Sequence, residues 1–147
     1  FWALYTDAYQ KKDYKWIKQT LIRLNKLFLV FIIITVLLFV FSKPIIKFWL
    51  QRDLNISNKL ILFMSIFVLI RAYGSIYMCF LNAIGKIKLQ MWLYVFGAII
   101  NIPISIIFVT KLNLGSSGVV LGTVFSILSL TIFLPFQTYK ILKKSND

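Results

Sequence analysis

LILFMSIFVLIRAYGSIYMCFL, residues 60–81, is a run of twenty-two residues with a single charge, Arg71, at its middle. A helix needs about 20 apolar residues to cross a hydrocarbon core about 30 Å thick. No water is available at that depth, so the backbone has to close its own hydrogen bonds, and this run predicts a transmembrane helix. Three other runs match it: 24–41, whose uninterrupted part LFLVFIIITVLLFVF covers 27–41, then 89–109 and 119–136. The first is short, and Lys26 and Lys43 at its ends can extend their ammonium groups to the two interfaces and offset the mismatch. Connections fall at 42–59, 82–88 and 110–118, with a tail over 137–147.

Outside these runs, residues 1–9 read as the end of a further helix. A basic stretch over 10–26 comes next, with Tyr14, Ile17, Leu21 and Leu24 at three- and four-residue spacing and Asp13 placed to cap its start. The pattern predicts an amphipathic helix lying on the membrane surface against anionic lipid headgroups. A solvated basic connector is the plainer alternative, because the pattern is short. The fold class is therefore all-α: a polytopic transmembrane bundle of four complete spanning helices plus the end of a fifth. Apolar residues make up 60% of the 147, against about 45–50% in a soluble domain, which excludes a soluble fold. The chain opens on Phe1 without the charged-then-apolar start of a signal peptide, so an N-terminal part of a longer protein is expected before it.

Seventeen Lys and Arg stand against four Asp, with no Glu and no His, for a net charge of +13. In a soluble protein such an excess would point to nucleic acid; here the cations cluster at the ends of apolar runs, where topology signals belong, and no nucleic-acid partner is expected. Eleven gather on one side: Lys11, Lys12, Lys15, Lys18, Arg23, Lys26, Lys86, Lys88, Lys140, Lys143 and Lys144. Five take the other: Lys43, Lys47, Arg52, Lys59 and Lys111. The richer side is expected to be cytoplasmic, with the C-terminus inside. Trp49 and Trp92 fall near the expected interfaces.

The inventory leaves little for enzyme chemistry. Without His, Glu or a pair of membrane-embedded carboxylates, acid–base dyads, hydrolytic triads and the common metal sites have no parts. No enzyme activity, cofactor or metal is expected. Cys79 sits alone in an apolar run and reads as a small buried residue.

Arg71 is the exception to this apolar economy, since a charge at mid-membrane costs about 2.5–3.5 kcal/mol even on lenient scales. Gly74, Ser75, Met78, Cys79 and Asn82 share its face at helical spacing, so the stripe is expected to turn toward a bundle interior or a water-filled cavity. Guanidinium matches phosphate oxygens bidentately, which makes Arg71 a candidate for an anionic substrate group. The alternative is a structural arginine satisfied by carbonyls or by a carboxylate elsewhere. Gly97, Asn101 and Ser105 share a face of the third run beside Pro103, while Gly118, Gly122 and Ser126 open the fourth at four-residue steps. Such patterns serve packing seams more often than substrate contacts. Pro135 and Gln137 suggest a break near the end of the fourth run. The candidate substrate-binding residues are Arg71, Ser75, Asn82 and Asn101.

FWALYTDAYQKKDYKWIK at 1–18, LNAIGKIKLQ at 81–90, GAIINIPISI at 97–106, LNLGSSGVVLGT at 112–123 and LPFQTYKIL at 134–142 form an ordered set. Together they resemble lipid-linked oligosaccharide flippases of the multidrug/oligosaccharidyl-lipid/polysaccharide exporter superfamily. The resemblance implies a twelve-helix transporter of two six-helix lobes in the bacterial inner membrane. This chain would supply part of the C-terminal lobe, and a missing N-terminal lobe would be its partner. Its substrate would be an undecaprenyl-pyrophosphate-linked oligosaccharide repeat unit for O-antigen, capsule or a similar polymer. Two other readings stand beside it: a cation-coupled multidrug exporter of the same superfamily, and a membrane scaffold without transport activity.

Overall fold

The computed structural model describes residues 1–51 and 56–144, all of its regular structure helical. Five helices run in order: α1 (Trp2–Gln10), α2 (Tyr14–Leu50), α3 (Asn58–Ala83), α4 (Lys88–Thr110) and α5 (Ser116–Lys144). The last four are each long and apolar enough to cross a membrane. Arg52 and Asp53, and residues 145–147 with Asp147, lie outside the described residues.

Asp13 caps α2 as expected, accepting from the Trp16 amide at 3.0 Å. Beyond the cap, the chain departs from the expectation of a separate surface helix. The stretch 10–26 and the first spanning run meet in one helix of 37 residues that starts at Tyr14, about 55 Å long at 1.5 Å per residue. Nothing between Tyr14 and Phe41 is a helix breaker, so the backbone has no reason to stop at the interface. The apolar face of the basic stretch is also covered: Ile17 is fully buried and Leu21 nearly so, against protein rather than lipid. Trp16 meets Tyr5 edge-on at 5.8 Å, and Tyr5 meets Phe80 in the same way at 5.4 Å. The amphipathic pattern records this packing.

α2 also runs through Pro44 to Leu50, so the expected 42–59 connection is shorter, with α3 starting at Asn58 behind a Ser57 cap. At the chain's other end, the break expected around Pro135 and Gln137 is absent, and α5 continues to Lys144. Proline forfeits one backbone hydrogen bond, but Leu134, Thr138 and Leu142 on either side are buried and hold the helix in place.

α3 is the hub. It packs against α1, α2 and α5, while α4 packs against α5. The tight α3–α4 turn uses Gly85 at φ +70°, a conformation open to glycine at no steric cost. Thr6 of α1 donates to the Ala83 carbonyl at 3.1 Å, and Gln137 of α5 to the Lys86 carbonyl at 3.3 Å. The α1–α2 turn, the α3–α4 turn and the end of α5 thus share one end of the bundle. Lys11, Lys12, Lys86, Lys88 and Lys140 gather there and make it the basic end. The fully buried side chains of Tyr5, Ile17, Phe80, Leu81 and Leu134 form the core at this end. Farther along, the spans turn long apolar faces outward, including Leu27, Leu29, Ile33 and Val40 of α2. In water such a surface would aggregate; in a bilayer it is the face for lipid or further helices.

The glycine stripe of α5 is a packing seam against α4. A Cβ added at Gly118 would stand 2.9 Å from the Phe108 carbonyl carbon, and one at Gly97 would stand 2.7 Å from the Ser126 carbonyl oxygen. A Cβ at Gly122 would collide with Ser105. Small residues at these points let the two backbones approach.

Candidate functional site

Arg71 lies midway along α3, and its Nη1 donates to the Tyr94 hydroxyl of α4 at 2.7 Å. The guanidinium carbon also stands 6.0 Å from the centre of the Tyr94 ring, within cation–π range. The tyrosine is itself fixed, because its hydroxyl donates to the Met78 sulfur at 3.6 Å. Arg71 remains exposed, as does Ser75 one turn along, whose hydroxyl returns to the Ala72 carbonyl at 2.7 Å. Gly74 between them is buried, so the stripe straddles the edge of the bundle, one part inward and one part outward.

Arg71, Gly74, Ser75, Met78 and Tyr94 line a crevice closed on its far side by α5. The crevice holds about 10 Å³, room for no more than a single water. It cannot enclose a substrate group. The exposed side of Arg71 and Ser75 is where a ligand has access. No Asp or Glu lies in any of the four spanning helices, so the charge at mid-span is positive and uncompensated by a carboxylate of these helices.

The other two candidates are placed elsewhere. Asn82 accepts from the Gln90 amide across the α3–α4 turn. Eleven residues separate it from Arg71, which is about 16 Å along a helix. Asn101 sits in the α4–α5 seam: Ser105 donates to it at 3.0 Å, it donates to Thr123 at 3.2 Å, and Thr123 donates to the Val119 carbonyl at 3.1 Å. Both asparagines therefore join helices; Arg71 and Ser75 share one crevice, and Asn101 lines a neighbouring cavity of about 160 Å³ that also has Tyr94 in its wall.

Tyr94 does not stand out in the sequence, although a signal for it is present. Carrying the Gly97–Asn101–Ser105 face back by one turn and then another reaches Tyr94 and Gln90. A second polar chain is hidden from sequence reading: Tyr77 donates to Asn25 of α2 at 3.2 Å and lies 3.4 Å from the Tyr73 hydroxyl. Its members come from separate runs, so no local spacing reveals it.

The MatE family model matches residues 3–107, from the start of α1 to the last turn of α4. The chain belongs to the MatE family. It is accordingly a multi-pass membrane protein of the multidrug/oligosaccharidyl-lipid/polysaccharide exporter superfamily, and MatE members are transporters rather than enzymes. The α3–α4 hairpin with Arg71 and Tyr94 lies inside the matched region, as does the basic stretch of α2, whereas α5 lies beyond it. No curated protein and no solved structure matches the chain.

Proposed function

We propose that this MatE chain is part of a flippase for lipid-linked oligosaccharide repeat units. It would carry an undecaprenyl-pyrophosphate-linked sugar across the bacterial inner membrane for O-antigen, capsule or a similar polymer. The observation that carries the reading is the sign of the mid-membrane charge. Arg71 commits Nη1 to Tyr94, and its planar fork offers further N–H donors on the exposed side. A pyrophosphate or an acidic sugar is the class of substrate group that such a fork recognises, and Ser75 stands beside it as a hydroxyl contact. Asn82 and Asn101 act through the helix contacts that hold α3 and α4 in place. A further helical lobe would supply the opposite wall, and the basic end would face the cytoplasm.

A cation-coupled multidrug exporter is the second reading, and one feature favours it. Phe28, Tyr73 and Tyr77 form an aromatic cluster, with ring centres 5.3 Å apart at each step. Aromatic faces suit organic cations. Cation coupling, however, favours carboxylates within the membrane, and the four spans have none.

Full-length protein in sealed vesicles separates the two. Transbilayer movement of a labelled lipid-pyrophosphate oligosaccharide, with no accumulation of a fluorescent organic cation under an ion gradient, supports the flippase. Gradient-driven cation accumulation without lipid movement supports the exporter of drugs.

A further inference from the structure

We propose that the groove between α2 and α5 at the basic end binds an anionic phospholipid, with Lys18 and Lys143 on its phosphate and the apolar wall on its acyl chains. The proposal is independent of the substrate that the transporter carries. The groove has a volume of about 730 Å³, within the roughly 300–1,000 Å³ typical of small-molecule sites. It exists because α2 and α5 both pack against α3 but scarcely against each other, leaving Tyr77 of α3 between them.

Its lining is graded along the bundle axis. On α2 the wall runs from Lys18 to Asn25, about 10 Å of helix; on α5 it runs from Pro135 to Lys143, about 12 Å. The helices are antiparallel, so both lysines fall at the outer end, while Asn25 and Pro135 border the apolar spans. A charged end at headgroup depth and an apolar end at acyl depth match the two halves of a phospholipid. Ile22 and Tyr139 flank the opening, each more than half exposed.

A second observation points to a ligand. Thr138 lines the groove, is only 2% exposed, and its hydroxyl has no hydrogen-bond partner among the described residues. Thr35, Thr110, Thr123 and Thr131 each return their hydroxyl to a carbonyl of their own helix. A buried hydroxyl left without a partner is costly. A phosphate or ester oxygen of a lipid would supply the acceptor that Thr138 lacks, in a place where two lysines already favour an anion.

Binding of a fluorescent phosphatidylglycerol to full-length protein in neutral detergent, followed by anisotropy, tests the site. Saturable binding is expected, weakened at least tenfold in the K18Q/K143Q double variant and about threefold in T138V, which keeps the shape of the side chain. The K86Q/K88Q double variant removes the same charge from the same end and is expected to bind like the wild type. The proposal is overturned by any of four outcomes. These are equal weakening in the K86Q/K88Q control, equally tight binding of phosphatidylcholine, displacement by glycerol phosphate at the lipid's own concentration, and absence of saturable binding to the wild type. The third would mark a free-phosphate site, and the last would mean that another part of the protein fills the groove.

Discussion

Replacing Gly97 by Ala and Gly74 by Ala makes the same chemical change at two mid-span positions, and the structure predicts opposite results. A methyl at Gly97 would stand 2.7 Å from the Ser126 carbonyl oxygen, whereas ordinary contact begins near 3.4 Å. The shortfall, 3.4 − 2.7, is about 0.7 Å. Neither atom can rotate away, because the carbonyl is helix backbone and the place of a Cβ is set by the backbone that carries it, so α4 and α5 have to separate along the seam. Overpacking of this kind costs about 1–3 kcal/mol, and the better helix propensity of Ala returns up to about 1 kcal/mol. A net loss of up to about 2 kcal/mol is expected, a factor of up to about 30 in the folding equilibrium. At Gly74 nothing lies within 4 Å, so only the propensity gain remains and stability should hold or rise by up to about 1 kcal/mol. Thermal unfolding of the full-length protein in one detergent, wild type beside both variants, measures the difference. If Gly97→Ala proves as stable as Gly74→Ala, the close α4–α5 approach and the role assigned to the small residues are wrong.

The Asn82–Gln90 pair should behave as a structural link: a double-mutant cycle with Asn82→Ala and Gln90→Ala is expected to return a coupling of about 0.6–1.7 kcal/mol, measured by denaturation, with transport reduced only as stability falls. A coupling near zero would contradict the structural link and favour substrate contact for Asn82. Asp13→Ala removes the cap on α2 and should cost about 1 kcal/mol, whereas Asp7→Ala, which breaks an exposed pair with Lys11, should cost well under that; comparing their unfolding curves checks both.

Length and hydropathy made the four spans legible, because a bilayer imposes its own ruler on the sequence. Where the helices end was less legible. Residues 10–26 carry the charges of a surface segment, yet the backbone has no cause to break between Tyr14 and the span, and α2 is continuous. Its apolar face was visible as periodicity, but periodicity cannot say whether lipid or Tyr5 and Phe80 will cover it. Pro135 looked like a stop because proline breaks isolated helices; tertiary packing of Leu134 and Leu142 keeps α5 intact. Of the site, Arg71 announced itself by its cost in a membrane. Its partner Tyr94 did not, since a tyrosine in an apolar run passes for an apolar residue until a donor from another helix meets its hydroxyl. Asn82 and Asn101 each bond to a neighbouring helix, a use of a polar residue that sequence spacing does not separate from substrate contact.

The flippase reading rests most heavily on Arg71, and initial rates of lipid-pyrophosphate oligosaccharide movement in vesicles holding equal amounts of inserted protein test it most directly. Arg71→Ala is expected to abolish movement, Arg71→Lys to retain a part of it because the charge survives without the planar fork, and Tyr94→Phe to lower the rate by freeing the guanidinium from its support. Wild-type rates in Arg71→Ala would contradict the flippase reading and leave Arg71 a structural residue of the α3–α4 hairpin.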